Sequence, residues 1–185
     1  MRRVQIAVIG YNGDMCTDAA REAAYKVGSE IAKAGAVLVC GGLGGVMEEA
    51  CRGAKESGGT TVGIIPQDDF CYANKYCDIV VCSTIGFARD FMVAGSADGI
   101  IAVGGGVGTL IELSAGYMMK KPMAAVKGSG GTADLYAGKY LDVRKRAVII
   151  MAASAKEAVE NIMDKIKEEK NNDAGRGHDS LRDKA

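Results

Sequence analysis

Two glycine-rich segments carry the residue types best suited to binding chemistry in this chain. One reads Val39-Cys40-Gly41-Gly42-Leu43-Gly44-Gly45-Val46-Met47-Glu48. The other reads Ile101-Ala102-Val103-Gly104-Gly105-Gly106-Val107-Gly108-Thr109-Leu110-Ile111-Glu112. In each, an apolar run leads through a glycine cluster into a helical pattern. Glycines there admit positive φ and let a ligand approach the backbone closely. The helix beyond supplies unpaired N–H groups and the positive end of its dipole, which suits an anion such as phosphate. The expected ligand-binding residues are therefore Gly41, Gly42, Gly44 and Gly45 in the first turn, and Gly105, Gly106, Gly108 and Thr109 in the second. Tight packing of helix on strand would also use such glycines. Two clusters at strand ends favour binding, because ligands of open α/β sheets sit at that edge.

Neither turn is a standard dinucleotide fingerprint. Counting from Gly104 or Gly42, the third required glycine falls on Thr109 or Met47, and no G-x-x-x-x-G-K-[ST] segment exists. Glu112 follows the second turn and has two readings. Thr109-Leu110-Ile111-Glu112 has the form of a capping box, in which the carboxylate ties back to the backbone. Alternatively the carboxylate lies beside a bound phosphate, to contact a ribose or orient a water. Arg89 falls near the start of another helix, where a cation opposes the dipole. That misfit points to an anion held by its guanidinium fork.

The elements that must position these residues alternate regularly. Strands are expected at Val4–Ile9, Ala36–Cys40, Thr61–Ile65, Asp78–Cys82, Gly99–Val103, Pro122–Val126 and Ala147–Met151. Between the first two, Ala20, Ala24, Val27, Ile31 and Ala34 recur with helical period, and Gly35 ends the pattern. A last helix opens at the capping box Ser154-Ala-Lys-Glu157 and buries Val159, Ile162, Met163 and Ile166. The Gly- and Ser-rich 128–138 stretch reads as a loop. The pattern predicts an α/β fold, a Rossmann-like doubly wound, mostly parallel seven-stranded sheet with helices on both faces. Residues 1–170 form one domain, and 171–185 read as a mobile polar tail.

Composition narrows the function further. The 185 residues are 48% hydrophobic and 25% charged, with 26 glycines, the mark of a turn-rich globular chain. Lys plus Arg and Asp plus Glu number 23 each, and Trp is absent, so neither a basic field nor a stacking platform for nucleic acid is expected. No apolar run has the length of a membrane span, and a cytoplasmic protein is expected. The six cysteines form no C-x-x-C pair, and the single histidine, His178, lies in the polar tail, so no metal site is expected. Cys40 and Cys82 read as small core hydrophobes, while Cys71 and Cys77 flank a loop.

At superfamily level the chain resembles the proteins that include the LONELY GUY phosphoribohydrolases and the molybdenum cofactor carrier proteins. The hydrolases' P-G-G-x-G-T-x-x-E motif is similar to Gly104-Gly105-Gly106-Val107-Gly108-Thr109-Leu110-Ile111-Glu112, and Arg89 stands at the spacing of their catalytic arginine. The earlier turn, leading on through Gly58-Gly59 and Val62-Gly63-Ile64-Ile65-Pro66, resembles their other glycine motif. Two departures matter: Gly104 replaces the motif's Pro, as in the carrier-like branch, and Asp90 stands where the hydrolases carry Lys. The resemblance implies a phosphorylated nucleotide-type small molecule as partner and no further cofactor. It also implies a homodimer formed through helices beside the site. Leu113, Ala115, Tyr117, Met118 and Met119 make the helix after Glu112 unusually apolar. Two activities fit. One is N-glycosidic hydrolysis of a nucleoside 5′-monophosphate, with Glu112 and Arg89 as catalytic residues. The alternative is a non-catalytic carrier or sensor of a phosphorylated cofactor such as molybdenum cofactor.

Overall fold

The computed structural model describes residues 2–179. Seven strands form one sheet: β1 (Gln5–Gly10), β2 (Val37–Cys40), β3 (Thr60–Ile65), β4 (Ile79–Cys82), β5 (Gly99–Val103), β6 (Met123–Val126) and β7 (Ile149–Ala152). Their order is β4-β3-β2-β1-β5-β6-β7, and every neighbouring pair is parallel. The "mostly parallel" expectation thus becomes wholly parallel. Parallel strands need crossovers, and helices supply them: α1 (Asp18–Lys33), α2 (Val46–Glu56), α3 (Arg89–Gly95), α4 (Val107–Met118), α5 (Gly131–Tyr136) and α6 (Ala155–Asp179).

Alternation along the strands divides the core in two. Ile6 and Val8 of β1 face a cluster with α1, α2 and α6, whereas Ala7 and Ile9 face one with α3, α4 and α5. Because both faces of the central strands are covered, β2 and β5 read as continuous apolar runs instead of alternating ones, while edge strand β4 leaves Ile79 and Val81 exposed. Each fully buried isoleucine, Ile6, Ile9, Ile100 and Ile101 among them, contributes about 1.5–3 kcal/mol by leaving water. Helix α1 buries Ala20, Ala24, Val27 and Ile31 as its period requires, while Ala34 is the exposed C-cap. Gly35 follows with φ +70°, the left-handed turn that stops the helix.

Three sequence expectations change. The 128–138 stretch is not all loop: α5 forms within it, a helix of 6 residues too short to show periodicity. Helix α6 runs on to Asp179, into the stretch from 171 that reads as a polar tail; residues 180–185 of that stretch lie outside the described residues. Leu113, Ala115 and Tyr117 of α4 belong to the core, so only Met118 and Met119 of the apolar excess are exposed. The α6 capping box forms. The Glu157 amide donates to Ser154 Oγ at 3.2 Å, and the Glu157 carboxylate accepts from the Ala153 amide at 2.8 Å.

The strand order reverses between β1 and β5. From β1 the chain proceeds outward through β2, β3 and β4, then returns to lay β5, β6 and β7 on the other side. Crossovers on opposite faces leave a crevice beyond the carboxyl ends of those two strands, where such folds bind ligands.

Candidate functional site

Four turns meet at that crevice. The end of β1, Gly10-Tyr11-Asn12-Gly13, is the one that sequence reading missed. Its signal was a Gly-x-x-Gly directly after the first strand. A β-carbon on Gly10 would stand 2.6 Å from Val46 Cγ1, so the ends of β1 and β5 and the start of α2 can meet only over a glycine. The Tyr11 carbonyl accepts the Val46 amide at 3.0 Å. The Tyr11 ring occupies space that β-carbons on Gly104 and Gly131 would need, 2.7 Å from its Cδ2 and 2.8 Å from its Cζ respectively.

The second glycine turn is held from beneath. The Gly104 amide donates to Ser129 Oγ at 2.8 Å, and Thr132 Oγ1 donates to the Gly106 carbonyl at 2.8 Å. The Thr132 and Ala133 amides donate to the carbonyls of Gly105 and Gly104. Gly104 and Gly105 adopt φ +59° and +98°, which the turn needs and which other residues rarely tolerate. Helix α4 then opens at Val107 with Gly106 as its cap. Its first-turn amides have no acceptor within the helix, and Gly106, Gly108 and Thr109 line a cavity of about 290 Å³. Because the cap is Gly106, Thr109 lies inside the first turn. The capping-box reading of Thr109 to Glu112 is therefore corrected.

The first glycine turn contributes differently. Leu43 and Met47 line the same cavity, while Gly41, Gly42, Gly44 and Gly45 set the wall behind them. Gly42 (φ +70°) packs against Gly63, and Gly45 (φ +65°) against the Tyr11–Asn12 backbone. A β-carbon on Gly41 would lie 2.6 Å from Arg89 Cζ. Gly41 is thus the seat of that guanidinium.

Glu112 and Arg89 do come together in the cavity wall, with a third residue. Arg89 Nη1 is 3.1 Å from Asp90 Oδ1 and 3.5 Å from Glu112 Oε1, and all three side chains are largely buried. The misfit of Arg89 at the start of α3 is thereby explained: two carboxylates hold it. Asp90, which stands where a cation was expected, lines the same cavity as Arg89 and Glu112. One guanidinium against two ionised carboxylates leaves a formal charge of −1, and a single proton brings it to zero. Burial pushes Glu112 up to about 8, the Asp90 charge adds to that shift, and Arg89 opposes it. Burial also raises Asp90, again against Arg89. Burial thus favours the protonated form of Glu112 near neutral pH.

A larger cavity, about 700 Å³, lies at the opposite, amino-terminal edge beside Lys121, Met123 and Arg146. Among the described residues no helix begins there, and size alone does not make it a ligand site. The cysteine expectation also shifts. Cys77 stands not with Cys71 but with Cys40 and Cys51, behind the first glycine turn.

An all-parallel, doubly wound sheet with glycine cradles at its switch point defines the class: a Rossmann-like α/β domain. Within that class the chain belongs to the SLOG cluster4 family, whose model matches residues 3–162. It falls in the superfamily of LONELY GUY and molybdenum cofactor carrier-like proteins. An uncharacterized protein of Archaeoglobus fulgidus is 41% identical over 128 residues, 69% of this chain and 82% of the relative. The X-ray structure of TM1055 superposes with a TM-score of 0.80 at 34% identity, covering 87% of this chain and 99% of the other. The molybdenum cofactor binding protein of the phototrophic bacterium Rippkaea orientalis gives 0.79 at 32%, covering 90% and 99%. The molybdenum cofactor carrier protein of Chlamydomonas reinhardtii gives 0.77 at 31%, covering 88% and 98%.

Proposed function

We propose that this chain is a carrier or sensor that binds a phosphorylated cofactor of the molybdenum cofactor type and does not cleave it. The observation that carries this reading is the state of Glu112. A glycosidic hydrolase needs a carboxylate charge to stabilise an oxocarbenium-like transition state. Here that carboxyl is buried, raised to about 8 and crowded by Asp90. A neutral acid leaves the Arg89, Asp90 and Glu112 cluster without net charge, with Asp14 the other carboxylate on the cavity lining, and so removes one repulsive charge from the path of an anionic guest. The phosphate is gripped by the α4 amides and Arg89, and no bond needs to break. Two structural neighbours, described as binding or carrying molybdenum cofactor, support the same reading.

The protein acts as a homodimer in the cytoplasm. Phe91, Val107 and Met118 are large exposed apolar side chains that share one surface of α3 and α4, a surface that favours a protein partner. Six free thiols suit a reducing compartment. No helix among the described residues is long and apolar enough to cross a membrane.

The test is a paired measurement. Purified protein is incubated with a panel of nucleoside 5′-monophosphates and released base is measured. Binding of molybdenum cofactor from a donor enzyme is followed in parallel by retention through gel filtration. Cofactor retention without base release is expected. Base release that disappears in Glu112→Gln would establish the hydrolase instead.

A further inference from the structure

Three cysteines distant in sequence meet behind the first glycine turn. Cys40 ends β2, Cys51 lies in α2, and Cys77 stands in the segment before β4. Cys40 Sγ is 3.4 Å from Cys51 Sγ, Cys51 Sγ is 4.0 Å from Cys77 Sγ, and all three sulfurs lie within 4.8 Å of one another. Cys40 and Cys51 are fully buried, and Cys77 is half-buried. The sheet leaves room for this sulfur: a β-carbon on Gly63 would stand 2.6 Å from Cys77 Sγ.

We propose that Cys40, Cys51 and Cys77 form a three-thiolate site for a soft monovalent metal ion, Cu(I). Three ligands placed about 2.3 Å from a central ion, the thiolate distance to zinc, stand roughly 4 Å apart in a plane. The observed triangle needs little adjustment to reach that spacing. Soft thiolate donors favour Cu(I), zinc and iron–sulfur clusters over harder metals, and a three-coordinate set suits Cu(I). A structural zinc site closes with four ligands, and the cluster holds three ligand residues among the described residues. Half-buried Cys77 provides the way in. On binding, each ligating thiol gives its proton to solvent. The ion would cross-link β2, α2 and the segment before β4, fixing the first glycine turn, whose Gly42 amide donates to Cys40 Sγ at 3.3 Å.

The full chain, reduced and metal-free, is titrated anaerobically with Cu(I) against a chromophoric Cu(I) chelator. One ion per chain is expected, with X-ray absorption showing a shell of three sulfurs. Cys51→Ser and Cys77→Ser should each weaken binding by more than the roughly 10–100-fold that loss of an outer partner costs. Cys16→Ser and Cys71→Ser, outside the cluster, should leave it unchanged. Should Cys51→Ser fail to fold, the half-buried Cys77→Ser still decides. The proposal is overturned if the chelator strips all Cu(I) or if both cluster variants bind normally. It is also overturned if Zn(II) occupies the cysteines in preference, or if a Cys40–Cys51 disulfide forms and the reduced protein takes up no ion.

Discussion

Gly41 and Arg89 share one small volume: a β-carbon on residue 41 would lie 2.6 Å from Arg89 Cζ and 2.7 Å from its Nη2. The first glycine turn thereby aims the cation at the start of α3. Gly41→Ala should test this. The obstructed group is the far end of a flexible side chain, so the fold survives and the guanidinium moves. Phosphorylated-ligand affinity should fall roughly 10-fold or more, the worth of one charge-assisted hydrogen bond. Calorimetric titration checks it, and unchanged affinity with unchanged melting would show that Arg89 does not contact the ligand.

The glycines of the second turn should separate into two kinds. Gly106 has φ −118°, and a β-carbon there would meet nothing within 4 Å. Gly106→Val should fold within about 0.5 kcal/mol of wild type yet block the approach of phosphate to the α4 amides, abolishing binding. Gly105 has φ +98°, and its β-carbon would meet Thr109 Cβ at 2.6 Å. Gly105→Ala should therefore destabilise the whole protein, by roughly 1–3 kcal/mol for the backbone alone. Thermal melts beside binding isotherms tell the two effects apart, and a ligand that still binds to Gly106→Val would make the turn structural.

The sheet was legible because its central strands are buried on both faces, and runs such as Gly99–Val103 are apolar throughout. The second turn, Glu112 and Arg89 were legible because glycine clusters and charged residues at strand-to-helix junctions have few structural uses. Other features lack a local signal. Tyr11 matters through its ring beneath Gly104 and Gly131, a contact made across more than ninety residues. Asp90 looked like the loss of a cation because only the fold turns it toward Arg89. The Cys40, Cys51 and Cys77 triangle has no short-range spacing pattern, since strand, helix and loop each donate one sulfur.

Assembly depends on the apolar surface of α3 and α4. Val107 is 78% exposed and Met118 61%, and with Phe91 they share one apolar surface of the kind that marks a protein partner. Sedimentation should find a dimer at micromolar concentration. Met118→Glu should shift it to monomer while leaving ligand binding intact, since Met118 lies at the far end of α4 from the phosphate cradle. A wild-type monomer under the same conditions removes the assembly from the proposed function.

The sharpest prediction concerns Glu112 and pH. Its carboxyl is raised from 4.5 to about 8 by burial and by Asp90. Between those values the folded state holds a proton that the unfolded chain has released, so stability declines as pH rises through the window. The contribution is fully present below about 4.5 and lost by about 8, a loss on the order of a few kcal/mol. Asp98, held below its ordinary value by Arg2, acts in the opposite sense and only at lower pH. An amide is neutral at every pH, so Glu112→Gln should flatten the decline and melt higher than wild type above pH 8. Ligand binding should follow the same proton. Above about 8 an ionised Glu112 repels an anionic guest, and wild-type affinity should fall by up to about 10-fold per pH unit, the slope of one linked proton. Glu112→Gln should hold its affinity across pH 7–9.5. If the wild type binds equally well throughout that range, or the variant loses affinity in parallel with it, the proton is not on Glu112 and the neutral-acid basis of the carrier reading fails.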